Sequence, residues 1–275
     1  AGILSALLDK AAPGSGHQLQ FARTFASLAH TPAQTARIRE LLDGKLNGLV
    51  IDADLRWHFI MNLVERNASS REEIDAELKR DNTLTGQLAH ERCIAAFPNM
   101  EAKEAAFKRA TEDESITNWS RLSAIQGFAR PMHRKFHESF IDRYFALILD
   151  TYNNKSYEVS TSIIDLLYPS YVISQSTLDK TNAWLNGAGK DGHPTLRRHV
   201  LEAKDSLDRI LEKTSIPIHF DVLAIDIDGN DYHAWKAVEK YRPKLVVIEF
   251  NPTIPDEVEF VQDPIPHLNQ GSSAL

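Results

Sequence analysis

From the first residue to about residue 212, apolar side chains recur at intervals of three and four, the spacing that places them on one face of an α-helix. "FARTFASLAH" puts Phe21, Phe25 and Leu28 together. "ADLRWHFIMNLVER" repeats the pattern with Leu55, Phe59 and Leu63, and "FIDRYFALILDTY" with Phe140, Tyr144, Leu147 and Tyr152. The breaks between these runs carry helix-start chemistry. Thr31-Pro32 sets proline at a first helical position, Asp52 and Asp54 precede the second run, and Asn67 to Ser70 opens "REEIDAELKRD". Pro98, Pro131, Pro169 and Pro194 punctuate the remainder. Helices joined by short loops predict antiparallel hairpins stacked side by side, and the lack of a fixed period makes the array irregular. Longer loops are expected only at 43–54 and 185–194.

After "LRRHVLEAKDSLDRILEKTS" the pattern changes. "FDVLAIDID" and "KLVVIEFN" are short aliphatic and β-branched runs separated by the helical "DYHAWKAVEKY". This is the pattern of a β-α-β unit with parallel strands. The expected fold class is therefore mostly α, an irregular α-solenoid of HEAT-like hairpins over 1–212, followed by a small β-α-β segment over 213–275. The boundary is expected at about 212 to 216.

Composition limits the function classes. Hydrophobic residues make up 43% and charged residues 25% of the 275 residues, and no apolar run reaches the roughly 20 residues of a membrane helix. The expectation is a soluble, cytoplasmic chain with neither a secretory leader nor a membrane partner. The formal charge of −7, with no basic cluster, argues against a nucleic-acid partner. Residues 213–275 hold ten Asp/Glu against five Lys/Arg, so most of the net charge belongs to that segment. The single Cys93 excludes an intrachain disulfide and reads as a buried thiol.

Candidate chemistry is sparse. Asp226 and Asp228 end one expected strand, and Glu249 and Asn251 end the next, so all four gather at one edge of the sheet, where ligands of open α/β folds bind. They read either as a divalent-metal site or, for the stretch "DGND", as a turn leading to a helix N-cap at Asp231. Arg197 and Arg198, beside His199, form a small basic spot that reads either as a peptide-carboxylate site or as a solvated face. Trp57, Trp119, Trp184 and Trp235 sit at apolar helical positions and are expected in the core. "HERCI" at His90 and "HESFI" at His137 are expected to be solvated surface pairs.

Four stretches carry a resemblance: "LLDGKLNGLVIDADLRWHFIMNLVERN", "EIDAELKRDNTLTGQLAHERCIAAFP", "AKEAAFKRATEDESITNWSRLSAIQGFARPMHRKFHESFIDRYFALI" and "LLYPSYVISQSTLDKTNAWL". They resemble the C-terminal helical domain of aminopeptidase N-type zinc metallopeptidases, particularly the actinomycete-like branch. The resemblance implies a domain that closes over a zinc site supplied elsewhere and helps shape a chamber admitting peptides. The His-Glu-x-x-His zinc helix of that family is not in this sequence, since Ile stands where the second His belongs in both lookalikes. No catalytic or cofactor-binding residue is thus assigned, and zinc is expected only in the parent family. The expected partners are a peptide or a catalytic domain supplied in trans.

"FDVLAIDIDGNDYHAWKAV", "KLVVIEFNPTIPDEVEFVQ" and "NQGSSAL" resemble the later half of an FkbM-type methyltransferase domain. That implies S-adenosylmethionine and a divalent metal only if the segment is functional. The glycine-rich first-strand loop that would hold the cofactor is not in the sequence. Rival expectations are a methyltransferase completed by a partner and a scaffold that self-associates through the acidic tail.

Overall fold

A computed structural model describes residues 2–170, 172, 174–204, 217–225, 238 and 241–248. The chain is mostly helical with one small parallel sheet, and it divides into two compact units, Ala1–Phe140 and Ile141–Leu275. The expected boundary at 212 to 216 falls on residues outside those described. Among the described residues, no helix is long and apolar enough to cross a membrane.

The first unit contains α1 (Gly2–Lys10), α2 (Gly16–Leu28), α3 (Pro32–Leu42), α4 (Ala53–Glu65), α5 (Arg71–Arg80), α6 (Leu84–Ala95), α7 (Met100–Glu112), α8 (Asn118–Phe128) and the short α9 (Arg134–His137), flanked by two 3₁₀ turns. Its helices start where local chemistry directs. Thr31 and Gln34 form a reciprocal capping box with Pro32 in the first turn of α3, the Asp52 carboxylate accepts from the Leu55 amide at 2.8 Å, and the Ser70 hydroxyl caps α5. Leu55, Phe59 and Leu63 of α4 are all buried, as their spacing predicts. α6 is the central helix of this unit. It packs on α4, α5, α7 and α8, and Gly127 of α8 sits tight against it. There an added Cβ would lie 2.2 Å from the carbonyl oxygen of Arg92.

The second unit contains α10 (Ile141–Asn154), α11 (Tyr157–Leu166), α12 (Gln175–Asn186), α13 (Pro194–Lys204), β1 (His219–Ile225) and β2 (Arg242–Ile248). Ile141, Tyr144, Phe145 and Ile148 form the buried stripe of α10, with Leu147 and Tyr152 only half-buried. Of the expected set, Phe140 and Tyr144 are buried, Phe140 in the 3₁₀ turn that precedes the helix, whereas beyond Tyr144 the buried side chains are Phe145 and Ile148 in place of Leu147 and Tyr152. The Tyr144 hydroxyl donates to the Ile164 carbonyl at 2.7 Å and joins α10 to α11. β1 and β2 pair in parallel, with Val222 opposite Leu245 and Leu223 opposite Val246, which is the orientation a β-α-β connection requires.

Two expectations about the core need correction. Trp57 and Trp184 are buried, but Trp119 is 65% exposed because it occupies the second position of α8, before that helix reaches its neighbours. His137 is not a solvated surface group. It is buried, its ring edge-on to Phe128 and its Nε2 2.7 Å from the Phe128 carbonyl oxygen. Trp235 lies outside the described residues.

Candidate functional site

Several basic side chains in the first unit are docked on the carbonyl ends of helices. A helix leaves its last four carbonyls unmatched and carries partial negative charge there, so a cation reaching that end satisfies both needs. Lys103 of α7 is fully buried, and its Nζ donates to Ala95 O at 2.9 Å and Gly127 O at 3.0 Å, the ends of α6 and α8. Arg121 reaches Ala110 O and, at 2.8 Å, Asp113 O at the end of α7. Arg66 donates to Ser27 O at 2.7 Å at the end of α2, and His133 Nε2 lies 2.8 Å from Glu65 O at the end of α4. A carbonyl only accepts, so Nε2 carries the proton in His133 and in His137.

Lys103, Arg66 and His133 lie near a buried acid, Glu65. Glu65 is ion-paired with Arg130, with Arg66 at 3.7 Å from its other oxygen. Burial depresses the Lys103 ammonium to about 7 and holds His133 and His137 at about 4, so both imidazoles are neutral at pH 7. Burial also pushes the Cys93 thiol up to about 12, which makes it an inert core group, as expected. Nothing in this cluster pairs a nucleophile with a general base.

Two cavities open on either side of α6. The first, of about 440 Å³, lies among α5, α6, α7 and α8. Its floor is apolar, with Leu78, Leu88, Ile94 and Ala106, and its rim is charged. His90 Nε2 lies 2.7 Å from Asp75, which also pairs with Arg71, while Arg109 bridges Glu91 and Asp113. His90 is therefore held by a carboxylate on the next helix rather than by solvent.

The second cavity, of about 640 Å³, lies among α2, α4 and α6 and the turn at 81–83. Arg23 pairs with Asp54 across it. The Trp57 indole donates to Asp81 at 2.8 Å, and the Thr83 hydroxyl donates to the same carboxylate at 2.7 Å. Arg92 and His58 complete its polar wall.

The other expected site residues are apart from these cavities. Arg197 is engaged inside its own unit, donating to Leu185 O at 2.7 Å and Gly189 O at 2.6 Å at the end of α12. Arg198 is exposed beside it, and His199 lies 2.8 Å from Asp165. Asp226, Asp228, Asp231, Glu249 and Asn251 lie outside the described residues. Among the described residues, no three His, Cys, Asp or Glu side chains are gathered to hold a metal ion. The sequence reading did not single out Lys103, Arg121 or Arg92. The first two could have been found as charges inside apolar stripes, Lys103 with Ala106, Phe107 and Ala110, and Arg121 with Ala124, Ile125 and Phe128.

A helical unit of this kind, with cation-capped helix ends and apolar grooves but no assembled catalytic group among the described residues, belongs to a recognised class. Residues 1–209 match the ERAP1-like C-terminal domain, and the chain belongs to that family. The aminopeptidase N of Streptomyces lividans is 36% identical over 206 residues, a match covering 74% of this chain and 24% of that protein. The chain thus spans about a quarter of the length of the curated relative it matches.

Proposed function

We propose that residues 1–209 form the non-catalytic cover of an aminopeptidase N-type peptidase, an irregular solenoid of helical hairpins whose grooves face peptide or a catalytic domain. The observation that carries this reading is the family match together with the 36% identity to an aminopeptidase N over 24% of that protein's length. The packing of α6 on both α4 and α8 supports the solenoid reading, because alternate helices meet as they do in stacked hairpins. In this role zinc belongs to the catalytic domain, and the chain shapes the space through which peptides reach it.

Incubating the purified chain with zinc and a fluorogenic alanyl amide tests the reading. The expected result is no release of fluorophore above buffer. Release that zinc stimulates and a chelator abolishes would contradict a non-catalytic role.

A second reading concerns the remainder of the chain. The parallel register of β1 and β2 supports an α/β piece of methyltransferase type, completed by a partner, for which Asp226, Asp228, Glu249 and Asn251, next in sequence to the two strands, are the candidate ligands of a divalent metal. Calorimetry with S-adenosylmethionine tests it. Binding lost in Asp226→Asn supports this reading, and heat indistinguishable from dilution removes it.

A further inference from the structure

Nearly every arginine in the first unit has a carboxylate or a carbonyl as its partner. Arg92 has neither. Arg92 lines the 640 Å³ cavity, and its Nε is enclosed with no hydrogen-bond acceptor. Among the described residues, the other arginines without such a partner are Arg80 and Arg134, and both are exposed to water. An arginine is always charged and offers five donors, so an enclosed and unmatched one calls for an explanation.

The acids of the cavity are already engaged. Asp54 is held by Arg23, and Asp81 by the Trp57 indole and the Thr83 hydroxyl. His58 adds no charge, since burial lowers its pKa and its Nε2 donates to the Arg23 carbonyl at 3.0 Å. Arg130, the nearby like charge, is committed to Glu65. The cavity's two arginines and two carboxylates balance in charge, but Arg92 alone among them has no direct partner, and it stands next to an apolar wall that includes Met61, Leu88 and Ala89.

We propose that this cavity binds an organic monocarboxylate, with its two oxygens on the Arg92 fork and an aliphatic body against Met61, Leu88 and the Trp57 ring. The guanidinium fork matches a carboxylate with two parallel hydrogen bonds. A doubly charged phosphate would be repelled more strongly than a monocarboxylate in a space that already contains Asp54 and Asp81. The apolar wall selects for a ligand with a hydrocarbon body, since burying it there removes it from water. This site stands on its own geometry and does not depend on the peptidase reading.

The test uses the full chain labelled with ¹⁵N and follows the Trp57 indole resonance, assigned with Trp57→Phe. The probes are 4-methylpentanoate, its uncharged amide and inorganic phosphate. The expected result is a saturable shift with the carboxylate, affinity at least about tenfold weaker for the amide, and weaker binding of phosphate. Arg92→Gln should weaken carboxylate binding by about tenfold or more, and Arg92→Lys should retain part of it. The carboxylate and amide comparison on the unaltered chain needs no variant to fold. Equal binding of the amide, preference for phosphate, or no saturable shift from a folded chain, which would mean that the cavity holds water only, would each overturn the proposal.

Discussion

The ammonium nitrogen of Lys103 lies 3.0 Å from the carbonyl oxygen of Gly127, the residue whose missing side chain lets α8 cross α6. One buried cation thus closes the ends of two helices that pack tightly on each other. The capping carbonyls of Ala95 and Gly127 have no water to turn to when the ammonium is removed. Lys103→Ala is therefore expected to cost about 3 kcal/mol, the penalty of leaving buried acceptors unmatched plus the space vacated by the side-chain stem. Urea unfolding followed by circular dichroism measures it.

Gly127→Ala tests the crossing itself. The added methyl would meet the backbone oxygen of Arg92 and the Ala95 side chain, neither of which can rotate away. The expected loss is about 1–3 kcal/mol, from forced separation of α6 and α8. A thermal melt that does not move would show that the two helices pack less closely than described.

Acid should destabilise the first unit well before its exposed carboxylates titrate. His133 and His137 have folded-state values of about 4, below the ordinary imidazole value near 6.5. The unfolded chain takes up protons first, so stability falls as pH drops from about 6.5 to 4. Each imidazole contributes on the order of 3 kcal/mol across that window. Lys103 acts with the same sign at higher pH. Its depressed value of about 7 means that stability rises as pH climbs from 7 towards the ordinary lysine value. Urea midpoints measured from pH 4 to 9 check both slopes, and His133→Gln should flatten the acid limb.

The tryptophans separate what the sequence could tell from what it could not. Trp57→Ala should lose about 3–5 kcal/mol, because the ring fills the wall between α4 and the 81–83 turn. Trp119→Ser should stay within about 0.5 kcal/mol of the parent, because the ring is in water. Both melts can be run on one plate.

Apolar spacing and cap residues are local signals, and they located α3, α4 and α5 through Thr31, Asp52 and Ser70 as well as the strand runs at Val222 and Leu245. Burial of a charge is not a local signal. Lys103, Arg121 and His133 reach carbonyls 8 to 68 residues away, so their roles depend on which helix ends the fold brings near them. Trp119 shows the converse, an apolar residue at helical spacing that lies in the first turn of its helix, ahead of the packed interface. The cavity at Arg92 was equally illegible, since it is defined by Arg23, Asp54 and Asp81 from elements distant in sequence.

The proposed function makes residues 1–209 the cover of a peptidase, with the catalytic site supplied elsewhere. The most direct measurement adds the purified chain to an aminopeptidase N catalytic region lacking its own ERAP1-like C-terminal domain and follows hydrolysis of peptides of increasing length. The account predicts a stable complex by sedimentation and a length profile that shifts on its formation, with small amides hydrolysed at an unchanged rate. No association, and a profile identical with and without the chain, would contradict it.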